Sequence, residues 1–231
     1  MKRIMIAAVL VVGLASFAVA SSGRSDDIER IQNATQVFRE IMATPDKAIP
    51  RELLESAKCI AIIPGEKKAA LVVGASYGKG IATCRTAVGW SSPLFVALGG
   101  GSVGFQIGGS STDVVMIFMN EKGLQSLLSD KFKIGADATA AAGPVGRHAA
   151  ADTDAKMNAE ILTYSRSKGL FAGVSLNGAV VQADQTGNHA MYGGNVNRRE
   201  ILNGSVRVPE AAEPLLKEIA QYTRAEQASN Q

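Results

Sequence analysis

The sequence predicts a single α+β domain: a glycine-rich, strongly curved antiparallel sheet approaching a barrel, covered by N- and C-terminal helices. Three observations carry that expectation. Apolar residues recur at helical spacing near both ends of the chain. Short apolar runs separated by glycine clusters fill the middle. With 46% hydrophobic and 19% charged residues among 231, the chain has enough apolar material to bury a core and is not disordered.

Taken in order, residues 1–20 begin with Lys2 and Arg3, run apolar from Ile4 to about Leu14 and end on Ala18-Val19-Ala20. That is the layout of a secretory signal cleaved after Ala20, which assigns residues 21–231 to the periplasm or the medium. An uncleaved anchor is the alternative, because the uncharged stretch from Ile4 to Gly23 approaches spanning length. Residues 25–58 read as the helical N-terminal part. Ile28, Ile31, Val37, Phe38, Ile41 and Met42 make one amphipathic helix, and Pro50 opens a second that carries Leu53 and Leu54.

The period then changes, and residues 59–183 read as the sheet. Cys59 to Ile63 is a strand closed by Pro64-Gly65, and Ala69 to Ser76 and Ile81 to Arg85 flank a turn at Tyr77-Gly78-Lys79-Gly80. Leu94 to Leu98, Val103 to Ile107 and Val114 to Met119 follow, divided by Gly99-Gly100-Gly101 and Gly108-Gly109. Asn120 caps a short helix with Leu124, Leu127 and Leu128, while residues 135–147 show no period. Ile161 to Ser165 and Leu170 to Leu176 are further strands, and Asn177-Gly178 predicts a hairpin into Val180-Val181. Residues 184–224 form the helical C-terminal part, where Pro209 opens a helix with Leu215, Leu216 and Ile219 on one face.

Charge and composition exclude several functions. With 24 Lys plus Arg against 21 Asp plus Glu, the net charge of +3 lacks the basic excess of a nucleic-acid binder. Two cysteines and two histidines, far apart, form no zinc-ligand pattern, and no metal or cofactor is expected. Gly99 to Gly104 satisfies G-x-G-x-x-G, but strand-like residues follow it where a nucleotide site needs a helix. Gly74 to Lys79 is one residue short of a phosphate loop. His148 and His189 have no nucleophile or carboxylate at catalytic spacing, so no enzyme is expected. In an exported chain Cys59 and Cys84, on nearby strands, pair as a disulfide; two buried free thiols are the alternative.

The segments AKCIAIIPGEKKAALVVGASYGKGIATCR, GWSSPLFVALGGGSVGFQIGGSSTDVVMIFMN, FKIGADATAAAGPVGR and YSRSKGLFAGVSLNGAVVQAD occur in an order that resembles the SYLF lipid-binding domain. That module is also described as an actin-regulator domain in fungal and animal endocytic proteins. The resemblance covers the chain from about Leu53 to the C-terminal helix and implies binding of phosphoinositide-like or other anionic phospholipid head groups. A structural or stress-related envelope protein that binds protein or peptidoglycan is the alternative. The export signal removes the chain from a cytoplasmic cytoskeleton, so actin is not expected as a partner. Head-group ligands are sought among cations at turns: Lys67 and Lys68 after the first strand, Lys79 at the next hairpin tip, and Arg147 in GPVGR.

Overall fold

The computed structural model describes residues 23–44, 48–70, 73–103, 108–146, 159–167, 170–194 and 196–223. Helix α1, residues 23–42, places Ile31, Ala34, Phe38 and Ile41 on one face at spacings of three and four, and all four are fully buried. Its apolar stripe packs on the sheet. Pro50 ends the next connection as the N-cap of α2, Arg51–Ser56, where its lack of an N–H costs nothing. The C-terminal helices are α4, Gln185–Tyr192, α5, Arg198–Leu202, and α6, Glu213–Thr223, the last entered through a 3-10 turn at Glu210–Ala212 behind Pro209. Between sheet strands, α3, Glu121–Leu128, starts where the Asn120 side chain accepts the Gly123 N–H at 3.0 Å.

Ten strands of the described residues form one sheet that curls into a half-barrel. They are β1, Cys59–Ala70; β2, Val73–Thr86; β3, Gly89–Trp90; β4, Leu94–Val103; β5, Gly108–Phe118; β6, Lys131–Lys133; β7, Ala140–Ala142; β8, Ile161–Ser167; β9, Leu170–Gly173; and β10, Val180–Ala183. The order across the sheet is β6-β10-β4-β2-β1-β5-β8-β7, with β3 on β2 and β9 on β8. Both outermost strands, β6 and β7, are consecutive in the chain, and a bridge between Ile134 and Ala138 joins their connection.

Both faces are buried along residues 59–63 of β1 and 114–118 of β5, which is why those stretches read as unbroken apolar runs. On the outer face Ile60, Ile62, Ile81, Phe95, Val115 and Ile117 meet α1, α2 and α6. On the inner face Ala61, Ile63, Val96, Leu98, Met116 and Phe118 close on Leu127, Phe132, Ile134 and Leu202. Cys59 and Cys84 are register partners on the inner face and are joined by a disulfide.

Four local expectations are corrected. Pro64-Gly65 does not end a strand. It sits in a register irregularity of β1, where Gly65 takes φ +59° and donates its N–H to Asp113 Oδ1 at 2.9 Å. Tyr77 to Gly80 is not a turn but the middle of β2, because a Cβ at Gly80 would stand 2.1 Å from the Ile62 carbonyl oxygen and glycine lets the two backbones close. Gly178, at φ +91°, does turn the chain, yet β10 pairs with β4 and β6 and not with the preceding strand. Finally, the period-free stretch contains β7, which runs parallel to β8 in an otherwise antiparallel sheet. No helix of the described residues is long and apolar enough to cross a membrane.

Candidate functional site

Beyond the rows covered by helices, the outer face of the sheet continues into two rows set by register. The first joins Lys131, Gln182, Ala97 and Lys79, and the second joins Lys133, Val180, Gly99, Tyr77, Lys67 and Ser111. In β6 the alternation Lys-Phe-Lys buries Phe132 against Phe118 and leaves Lys131 and Lys133 exposed on the opposite face. Tyr77, 53% exposed, is one of two large apolar side chains in the open among the described residues. Small Ala97 and Gly99 stand between the tyrosine side and the lysine side, three strand spacings or about 14 Å wide. A groove of about 450 Å³ runs over this strip, and its lining includes Tyr77, Ala97, Asp130, Lys131, Gln182 and Asp184.

One end of the strip is tied to the helices through charge. Lys79 Nζ donates to Asp184 Oδ2 at 2.8 Å, and Arg30 of α1 donates to the same oxygen at 3.0 Å while also pairing with Asp27 at 3.0 Å. The Arg30 guanidinium also lies over the Phe95 ring, 5.3 Å from its centre. Asp184 is in addition the N-cap of α4, accepting from the Gly187 N–H at 3.4 Å. Four residues later Asn188 returns both its amide groups to the backbone of Phe95, each at 2.9 Å. Burial pushes the Asp184 carboxyl up, but the Lys79 hydrogen bond and charge, the Gly187 N–H and Arg30 outweigh it and hold it below the usual carboxylate value. For Asp27 burial wins over Arg30 and its carboxyl is raised.

The cations sought from sequence separate on this geometry. Lys67 and Lys68 lie within β1 and not at a turn, with Lys67 opposite Tyr77 and Lys68 opposite Ser76. Lys79 is on β2 and not at a hairpin tip, and its ammonium is engaged by Asp184. Arg147 and His148 lie outside the described residues, and His189 is exposed on α4. Sequence reasoning missed Lys131, Lys133 and Tyr77. The signal for the lysines was the Lys-Phe-Lys alternation itself. Gly99 to Val103 and Gly74 to Lys79 are strand residues, and Gly104, the last glycine of the first motif, lies outside the described residues. No group of three His, Cys, Asp or Glu side chains placed to hold a metal occurs among the described residues.

Comparison with known proteins gives a consistent family. Residues 99–222, more than half of the chain, match the family model Ysc84, described as Las17-binding protein actin regulator. Protein YSC84 of Saccharomyces cerevisiae is 37% identical over 74% of this chain and 37% of its own length. LAS seventeen-binding protein 3 of the same yeast is 36% identical over 74% of this chain and 38% of its length. SH3 domain-containing YSC84-like protein 1 of Homo sapiens is 31% identical over 87% of this chain and 60% of its length. The match thus spans about two fifths of each fungal relative. These names describe binding and regulatory proteins, not enzymes. They also overturn the expectation that actin is not a partner, which rested on the export signal and on no feature of the surface: relatives are named for binding Las17, and the family for regulating actin. The chain belongs to the Ysc84, or SYLF, family.

Proposed function

We propose that the protein is a non-catalytic binder of anionic phospholipid head groups and docks on a membrane surface through the strip of Lys131, Lys133 and Tyr77, with Lys67 in the same register row. The single observation behind this reading is the pairing of two exposed lysines with an exposed tyrosine across Ala97 and Gly99. Each cation close to an anionic surface contributes about 1 kcal/mol. A tyrosine at the same level suits the boundary between head groups and acyl chains, with an apolar ring and a wet hydroxyl. Ala97 and Gly99 keep the β4 part of the strip low, while Gln182 and Val180 of β10 stand next to the lysines.

The export reading is kept as part of the proposal: cleavage after Ala20 and residence in the periplasm or medium. The disulfide between Cys59 and Cys84 supports an oxidising compartment. The relatives' names favour a second reading, docking to an actin-regulating protein of the Las17 kind.

Flotation of the protein with vesicles of phosphatidylcholine and phosphatidylserine in equal parts, against phosphatidylcholine alone, tests the first reading. Binding to the mixed vesicles that fades with added salt is expected. Equal recovery with both vesicles, together with retention on immobilised Las17, would favour the second.

A further inference from the structure

We infer that Lys79 is a latent cation of the head-group strip, held by Asp184, whose carboxylate occupies the position that a lipid phosphate would take against the Lys79 ammonium. The inference rests on the membrane reading above and adds a regulator to the same site.

The geometry gives each part of it. Lys79 shares its register row with Ala97, Gln182 and Lys131, so its Cα lies in the strip, and its side chain is 38% exposed. Its nitrogen stands 2.8 Å from the carboxylate of Asp184, which lines the groove together with Tyr77 and Lys131. Asp184 presents one oxygen to two cations, Lys79 and Arg30, and its other oxygen to the Gly187 N–H. An oxyanion accepting from an ammonium at 2.8 Å has the chemistry of a phosphate oxygen doing the same. Arg30 keeps its second partner, Asp27, if Asp184 loses Lys79. Asp184 likewise keeps Arg30 and its cap. Exchange of Lys79 from carboxylate to phosphate therefore strands neither a buried charge nor the start of α4.

The test is a double-mutant cycle on vesicle binding, with Lys79→Ala, Asp184→Asn and the pair, read by flotation over the mixed and neutral vesicles. Asparagine retains the N-cap function, so α4 remains closed. Asp184→Asn is expected to tighten binding to the mixed vesicles about fivefold, the worth of one released cation at an anionic surface. Lys79→Ala is expected to cost about fivefold more in the Asp184→Asn background than in the wild type. Equal cost in the two backgrounds, as a long-range field alone would give, overturns the inference. If Asp184→Asn fails to fold, Asp184→Ser, also a good cap, takes its place in the same cycle. An additive cycle in a protein whose binding still depends on Lys131 and Lys133 rejects the latent cation and leaves the membrane reading standing. No preference of the wild type or of Asp184→Asn for the mixed vesicles rejects both.

Discussion

The guanidinium of Arg85 lies over the indole of Trp90, 5.0 Å from the ring centre, and the two side chains reach the same residue, Thr223. Arg85 donates to the carbonyls of Leu54, Glu55 and Ala57 at the end of α2 and to that of Thr223 at the end of α6, while Trp90 Nε1 donates to the Thr223 hydroxyl at 3.1 Å. Carbonyls at a helix C-terminus lack partners within the helix and carry partial negative charge. One cation on β2 therefore gathers two helix ends onto the sheet.

Arg85→Met keeps much of the apolar stem but removes every one of those donors. A loss of about 2 kcal/mol is expected, with Arg85→Lys intermediate because an ammonium cannot spread over so many carbonyls. Chemical denaturation of the three proteins gives the ranking; a methionine variant as stable as wild type would show that the clamp is decorative.

Replacing Cys59 and Cys84 by alanine opens a link of sequence separation 25. About 3 kcal/mol should be lost, chiefly through a freer unfolded chain. Urea midpoints of the variant and of reduced wild type should coincide. Denatured, non-reduced wild type should react with no thiol reagent.

The Tyr164 hydroxyl is fully buried and has no hydrogen-bond partner among the described residues, while its ring stacks on Phe171 with centres 5.3 Å apart. Burial pushes its phenol well above the ordinary value, so it stays neutral. Tyr164→Phe removes only the unpaired oxygen and should leave stability equal or raise it by about 1 kcal/mol. A melting temperature clearly below that of wild type would mean that the hydroxyl has a partner.

The depressed Asp184 carboxyl makes a prediction about acid. A carboxyl lowered by folding adds stability that is present above its unfolded value, about 3.9, and disappears as pH falls through the folded value. Wild type should thus exceed Asp184→Asn by a constant margin above about pH 5, and the two should converge below the usual carboxylate range. Asp27, raised by burial, acts in the opposite sense: its contribution is present at low pH and lost as pH rises through its folded value. Denaturation midpoints from acid to neutral pH check both signs.

On the strip, Lys131→Ala and Lys133→Ala should each weaken binding to anionic vesicles about fivefold, and salt should do the same. Phe132 between them points inward, so their loss should not disturb the core. Unchanged flotation by the double variant would move the contact elsewhere on the protein.

Much of the fold was legible because periodicity is local. The stripe of Ile31, Ala34, Phe38 and Ile41, the Asn120 cap and the apolar runs at Cys59 and Val114 each state their own structure. What misled was punctuation. Pro64-Gly65 reads as a turn, yet here it is held inside a strand by Asp113, 48 positions away and itself fixed by Arg166 at 2.8 Å. The glycines around Lys79 read as a hairpin tip, yet Gly80 serves close approach to β1. Most of the candidate site was not legible for the same reason. The partnership of Lys79 with Asp184 joins distant segments, and no short-range pattern records it. The two rows exist only once β10 is known to lie between β4 and β6.

The position of β1 has a consequence for how the molecule is built during synthesis. The first strand in the chain is not at an edge of the sheet but near its middle, flanked by β2 and β5. A ribosome therefore delivers the innermost strand first, and later strands add outward on both sides, β4 and β10 on one flank and β8 on the other. The earliest pair to emerge, β1 with β2, is also the pair carrying the disulfide. The residues up to Thr86 thus contain the central pair that β5 flanks on one side and β4 on the other.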